Sequence, residues 1–211
     1  DGFELYFKQV GNKVAGRPIE IIKEDTAAQP AQGLERVRRL VERREVHMLA
    51  GITSSAVAYA VRDYVHQNKT PLIVMGSAGA NDITAGRGSP YIFRTSFTNK
   101  QFNAPFGPYA CNKLGHKRAV VMYSDFVTGA EQSAAFEETY TAAGCKVVKK
   151  IAVPLGNADF ATFLSQISPA DADMVWAMFF GADAIAFVKQ YAQFGLKDKL
   201  PLVGSAGLVY E

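Results

Sequence analysis

Apolar positions along the chain switch between two spacings. Short aliphatic runs, Ile19-Glu20-Ile21-Ile22-Lys23, Val46 to Ala50 and Pro71 to Met75, read as strands, and Tyr91 to Arg94 reads as a short extended piece. Between them, Leu34, Val37, Leu40 and Val41 fall at helical spacing within Ala31 to Arg44, and Ser55 to Gln67 repeats the pattern. Pro30 suits the first turn of the former helix, because its missing N–H is one that a helix start leaves unbonded. The rhythm then restarts. Asn99 to Leu114 is predicted helical, Arg118 to Tyr123 a strand, Ala130 to Ala143 a helix and Lys146 to Val153 a strand. Asp159 to Ile167 is predicted helical, Met174 to Met178 a strand, Asp183 to Phe194 a helix and Leu200 to Val203 a strand. Gly115, Gly144 and Gly195 each stand where a helix is predicted to end, the usual place for a left-handed terminator.

Strands alternating with helices over short connections predict βαβ units, parallel sheets and helices on both faces. The predicted fold class is α/β, with two doubly wound parallel-sheet lobes. The predicted boundary lies where a strand-like piece leads into a new series, giving a first lobe over 1–95 and a second over 96–211. The 211 residues are 48% hydrophobic and 20% charged, enough apolar material for a sizeable core. A net charge of +3 is too weak a bias for a nucleic-acid partner. The arginines at 36, 38, 39, 43 and 44 are interleaved with Glu35, Glu42 and Glu45, as on a solvated helix face. Two cysteines, Cys111 and Cys145, fit no zinc motif. An oxidising compartment would allow them to pair; the simpler expectation is two small buried thiols.

Ligands of open parallel sheets bind beyond the carboxyl ends of the strands, so the loops there are the candidate sites. Gly51-Ile52-Thr53-Ser54-Ser55-Ala56 runs from a strand into a helix, and Ser54 or Ser55 is a natural N-cap beside N–H groups that attract anions. A helix cap with no further role accounts for the same residues. The loop Gly76-Ser77-Ala78-Gly79-Ala80-Asn81-Asp82 is small and polar, so its backbone can approach a ligand closely, although Gly, Ser and Asn also make ordinary turns. His47, His66 and His116 have no metal-like spacing, and the chain has no dinucleotide fingerprint, phosphate loop or nucleophile elbow. These absences argue against an enzyme, and no cofactor or metal is expected.

Several segments carry a resemblance. Gly16-Arg17-Pro18-Ile19-Glu20 with Glu24 to Pro30, Phe93-Arg94-Thr95-Ser96, Asn157-Ala158-Asp159-Phe160-Ala161, and Phe187-Val188-Lys189-Gln190 followed by Gly195-Leu196 resemble the type I periplasmic solute-binding proteins of the branched-chain amino-acid family. The resemblance implies a two-lobed protein that closes on a small solute in the periplasm and delivers it to an ABC permease in the membrane. It implies ligand contacts from Ser54 and Ser55, with Ser55 matching the carboxylate-binding serine, and from Ser77, Ala78 and Gly79. In the second lobe it implies an aromatic clamp near Thr128 and Phe180, with Phe126 beside it. Gly79 replaces a threonine of the family's amino-acid binders, Thr128 a tyrosine, and Ala206 the acid that holds the ligand ammonium; Glu211 is the nearest following acid. The amino-group recognition set is thus largely missing. Together with Phe93-Arg94-Thr95-Ser96-Phe97-Thr98, these departures are similar to the subgroup that takes up aromatic acids. The expected ligand is a carboxylate without an α-amino group. The alternatives are a branched-chain amino-acid binder, a ligand-sensing regulator on the same fold and, in a third class, an α/β hydrolase or transferase. The opening residues resemble the middle of the family's first helix, so the expectation is a chain incomplete at both ends.

Overall fold

The computed structural model describes residues 2–76, 78–86 and 88–208. Helix α1 (Gly2–Gln9) leads into a small antiparallel hairpin of β1 (Lys13–Val14) and β2 (Arg17–Pro18). The expected strand at Ile19 to Lys23 does not form, although Ile19 N–H still donates to Asn12 O at 2.8 Å. Its β-branched residues favour extension, but no strand among the described residues pairs with it, and a strand exists only as one side of a ladder.

Helix α2 (Pro30–Glu42) begins with Pro30 in its first turn, as expected. Gly33 lets it approach its neighbour closely, since a Cβ there would come within 2.5 Å of Val57. Strand β3 (Leu49–Gly51), helix α3 (Ser55–Gln67), strand β4 (Leu72–Val74) and strand β5 (Ile92–Arg94) follow. The three strands form a parallel sheet in the order β3-β4-β5, with Leu49, Leu72 and Ile92 in one row. Val57, Val61 and Val65 of α3, one helical turn apart, pack with that row and with Val37, Val74 and Ile83. Both sheet strands that lead into the candidate loops are shorter than expected, and His47 lies outside β3.

The helix expected over Asn99 to Leu114 is broken. It becomes α4 (Asn99–Asn103), a single turn α5 (Phe106–Pro108) and a π-turn over Tyr109–Lys113. Pro105 and Pro108 bring no N–H to the helical ladder, so the apolar rhythm continues while the hydrogen bonding does not. Strand β6 (Arg118–Ser124), helix α6 (Val127–Ala142), strand β7 (Lys146–Val153), helix α7 (Ala161–Leu164), strand β8 (Met174–Met178), helix α8 (Gly181–Gln193) and strand β9 (Leu202–Gly204) complete the chain. Helix α7 is much shorter than the expected Asp159 to Ile167. The four strands are parallel in the order β7-β6-β8-β9. One face packs on Phe160, Leu164, Phe187 and Tyr191 from α7, α8 and the loop before α7; the other packs on Phe136 and Tyr140 of α6. This is the doubly wound arrangement read from the alternation. Gly115, Gly144 and Gly195 have φ of 75°, 90° and 67°, the left-handed terminators expected of them.

The cysteines are not free thiols: Cys111 and Cys145 form a disulfide. The π-turn places Cys111 beside the end of α6, where Gly144 turns the chain into β7, and both sulfurs are buried. Among the described residues no helix is long and apolar enough to cross a membrane.

Candidate functional site

The expected loops lie together at the carboxyl ends of β3 and β4. Gly51 takes φ of 126°, and the chain enters α3 through Ser54, which is the N-cap: its Oγ accepts from Val57 N–H at 3.4 Å. Ser55 is therefore the first helical residue, not the cap, and it is only 1% exposed. Its Oγ accepts a hydrogen bond from Thr128 Oγ1 at 3.2 Å. Thr128 belongs to the first turn of α6, so the N-termini of α3 and α6 meet at this pair of hydroxyls. Neither first turn carries an acidic residue. Each contributes free N–H groups and about half a positive charge, a setting that suits an anion.

Phe126 is the N-cap of α6 and Phe180 the N-cap of α8. Their rings meet edge to face with centroids 6.4 Å apart, both packed on the Trp176 side of the four-stranded sheet. Ala206 lies in a turn of 3-10 helix, Ala206–Leu208, and a Cβ on Gly207 would run into the Phe180 ring. Ser77 and Glu211 lie outside the described residues, as does the side chain of Ala206.

The loop after β4 is held by its carbonyls. Arg94, on β5, donates to Ala78 O at 2.6 Å, to Ala80 O at 2.5 Å and to Phe97 O at 3.4 Å, and its Nε donates to Thr84 Oγ1 at 3.1 Å. Burial lowers the Arg94 pKa, although a guanidinium keeps its proton throughout the physiological range. Ala78 is fully buried. Gly79 O accepts from Asn99 N–H at 2.7 Å, and a Cβ on Gly79 would fall on the Asn99 side chain and 2.9 Å from its backbone nitrogen. Glycine at this position is a packing requirement as well as the absence of a hydroxyl.

Several residues of this region were not found from the sequence. Glu131, one turn along α6 from Thr128, accepts from Tyr59 OH at 2.5 Å, from Asn99 Nδ2 at 2.7 Å and from Asn81 N–H at 3.1 Å. Burial, and then the Glu131 carboxylate, push the Tyr59 phenol up to about 12. Gln132 Nε2 donates to Asn99 Oδ1 at 3.3 Å. The spacing Thr128-x-x-Glu131 puts both side chains on one helix face, a signal open to sequence reading. Ser205, just beyond β9, was also missed. It is 4% exposed, and its Oγ has no hydrogen-bond partner among the described residues. Its N–H still donates to Ala177 O at 3.1 Å.

Two parallel sheets, the four-stranded one with helices on both faces, and small polar loops at the strand ends define an α/β ligand-binding fold, that of the type I periplasmic binding proteins. The chain belongs to the periplasmic binding protein family, whose model matches residues 1–211. It is 34% identical over 199 residues to Leu/Ile/Val-binding protein homolog 6 of Brucella melitensis, a match covering 93% of this chain and 50% of that protein. An ABC transporter substrate-binding protein from Sphaerobacter thermophilus superposes with a TM-score of 0.89 at 42% identity, over 99% of this chain and 57% of its own. A solute-binding protein of an ABC transporter from R. palustris, solved in complex with benzoate, gives a TM-score of 0.89 at 33% identity over the same shares, 99% and 57%. The chain thus spans about half the length of its relatives.

Proposed function

We propose that this chain is the solute-binding part of an ABC importer, acting in the periplasm and handing its solute to a membrane permease. Residues 1–95 and 96–211 are its two lobes, and the solute is a small carboxylate, an aromatic acid in preference to an amino acid. The observation that carries this reading is the meeting of two helix N-termini at the hydroxyls of Ser55 and Thr128, with Phe126 capping α6 itself and Phe180 capping α8. A carboxylate entering there accepts from both hydroxyls in place of their mutual bond, and from the free N–H groups of both first turns. An aromatic ring reaches the Phe126–Phe180 pair, where edge or offset packing is favourable. The benzoate held by the R. palustris relative supports the ligand class. In this reading the protein carries its solute unchanged: among the described residues the hydroxyls of Ser55 and Thr128 bond to each other, not to a basic side chain that would activate them.

The name of the Brucella relative favours a second reading, a branched-chain amino acid as solute. An ammonium buried without an anionic partner costs several kcal/mol, and among the expected positions Gly79 offers no side chain to meet it. A thermal-shift screen of the full-length protein separates the two. Benzoate and 4-hydroxybenzoate are expected to raise the midpoint and leucine and isoleucine to leave it unchanged; the reverse pattern overturns the aromatic assignment. Ser55→Ala is expected to weaken benzoate binding about tenfold or more by calorimetry, the loss of one charge-assisted hydrogen bond.

A further inference from the structure

Whereas Thr128 bonds across to α3 through Ser55 alone among the described contacts, Glu131 ties α6 to three separate segments of the chain. Its Oε1 accepts from the Tyr59 hydroxyl, and its Oε2 accepts from both the Asn81 backbone N–H and the Asn99 amide. These partners come from three places: α3, the loop after β4 and the start of α4. The contacts also reinforce one another. The Tyr59 oxygen accepts from Asp82 N–H at 3.2 Å, Asn81 Oδ1 accepts from Lys100 N–H at 2.9 Å, and Asn99 Oδ1 accepts from Gln132. Among the described residues no lysine or arginine forms an ion pair with Glu131; Lys100 pairs with Glu138 instead. The three groups that bond to Glu131 are all neutral donors, and an ionised carboxylate is the one side chain that accepts on both oxygens without presenting a donor.

We propose that Glu131 is a positioning residue for the candidate ligand site: its carboxylate fixes the loop Ala78–Asp82, the second turn of α3 at Tyr59 and the start of α4 at Asn99 against α6. The Thr128 and Ser55 hydroxyls lie one turn away along the same two helices, so their spacing is set by this junction. Among the described residues Glu131 bonds to neither Ser55 nor Thr128, and its effect on affinity passes through the geometry of that hydroxyl pair. The consequence for affinity rests on the ligand reading above, whereas the fixing of the loop does not.

Hydrogen exchange on the full-length, ligand-free protein tests the proposal directly. In Glu131→Ala the Asn81 and Asp82 amides are expected to exchange about tenfold faster or more, the equivalent of losing about 1.4 kcal/mol of local protection, with the global unfolding midpoint unchanged. Glu131→Gln is expected to stay within about threefold of the wild type, because its carbonyl oxygen still accepts from Asn81 and Asn99 while its amide donates to the Tyr59 oxygen. Calorimetry with benzoate is expected to follow the same order, about tenfold weaker for the alanine variant and near wild type for the glutamine variant. Unchanged exchange in Glu131→Ala overturns the proposal. So does faster exchange spread through the whole chain with a lowered midpoint, which makes Glu131 a general stabiliser. Equal benzoate affinity in Glu131→Ala and a wild type that binds benzoate also overturns it. If the wild type itself binds no benzoate, the ligand reading falls, and the exchange result alone decides the role of Glu131.

Discussion

The two parallel sheets are covered differently. Every residue of β8 in the four-stranded sheet is buried, and separate aromatic clusters pack on its two faces. In the three-stranded sheet one row, Leu49, Leu72 and Ile92, faces a core, while the next, Ala50, Ile73 and Phe93, faces outward, with Phe93 56% exposed. Parallel sheets are usually buried on both faces, so the second sheet follows the rule and the first, among the described residues, follows half of it. The lesson concerns what keeps each half of the candidate site in place. Phe126, Phe180 and Thr128 stand on elements anchored by a two-sided core. Ser55 and the loop Ala78–Asp82 stand on short strands, and their arrangement relies on the bonds from Arg94, Glu131 and Asn99.

The largest test of that contrast is a pair of core truncations. Phe136 is fully buried and stacked on Trp176, the single tryptophan, with centroids 5.1 Å apart and planes 8° from parallel. Phe136→Ala is expected to cost about 3–5 kcal/mol, read by Trp176 fluorescence in a denaturant titration. Val61→Ala, in the core of the three-stranded sheet, is expected to cost about 2 kcal/mol by circular dichroism and to move the Trp176 transition less. Equal shifts of the Trp176 transition would show the two sheets unfolding as one unit and remove the contrast.

The disulfide sharpens it. Cys111 and Cys145 are 34 residues apart, and opening such a loop in the unfolded chain is worth about 2–4 kcal/mol. Reduction, or alanine at both positions, is expected to lower the Trp176 transition by that amount. Protection of amides in α3 is expected to change little, and an equal loss there would mean that the bridge stabilises both regions.

The smallest effect is a pH dependence confined to the four-stranded sheet. Asp173 accepts from the Arg118 guanidinium at 2.8 Å and from the backbone N–H groups of Lys117 and Arg118 at 2.9 and 2.8 Å. The Arg118 bond above all, with the backbone bonds, holds its carboxyl below the usual range. A depressed folded-state pKa contributes stability that is present above about pH 4, the unfolded value, and lost as pH falls through the lowered one. The group is solvent-facing, so screening limits its worth to about 1 kcal/mol. Asp173→Asn is expected to lower the Trp176 transition at pH 7 and to make a smaller difference at pH 3; an undiminished difference at pH 3 rules out the charge as the cause.

The sequence displayed the helices with a clear apolar face, as in α3 with Val57, Val61 and Val65, and those with a glycine stop, as in α6 before Gly144 and α8 before Gly195. It did not display the breaks at Pro105 and Pro108, because the apolar spacing runs on through a region where the hydrogen bonding changes. The run from Ile19 to Lys23 shows the converse: its extended propensity was visible, but its lack of a strand partner is a property of the folded chain. In the site, Ser54 and Ser55 were legible from a strand-end loop rich in hydroxyls, and Thr128 only through the resemblance. The bonds centred on Glu131 were not legible, since Tyr59 lies 72 residues away and Asn99 lies 32. Chain-local patterns cannot report a contact that only the meeting of distant elements creates. Arg94 stood within a motif noticed in the sequence, but its task was hidden because its partners are main-chain carbonyls.

That choice of partners bears on how such a protein can change over generations. Arg94 grips Ala78, Ala80 and Phe97 through oxygens that every amino acid carries. Replacing a side chain in that loop leaves the grip intact, provided the new group fits the space. The loop can therefore vary its side chains without first rebuilding the scaffold that presents them. At Gly79 the freedom is narrower, because any newcomer must arrive together with a smaller or displaced Asn99. Innovation at that position requires two coordinated changes, and at Ala78 and Ala80, both fully buried, it is confined to groups the core around them can hold.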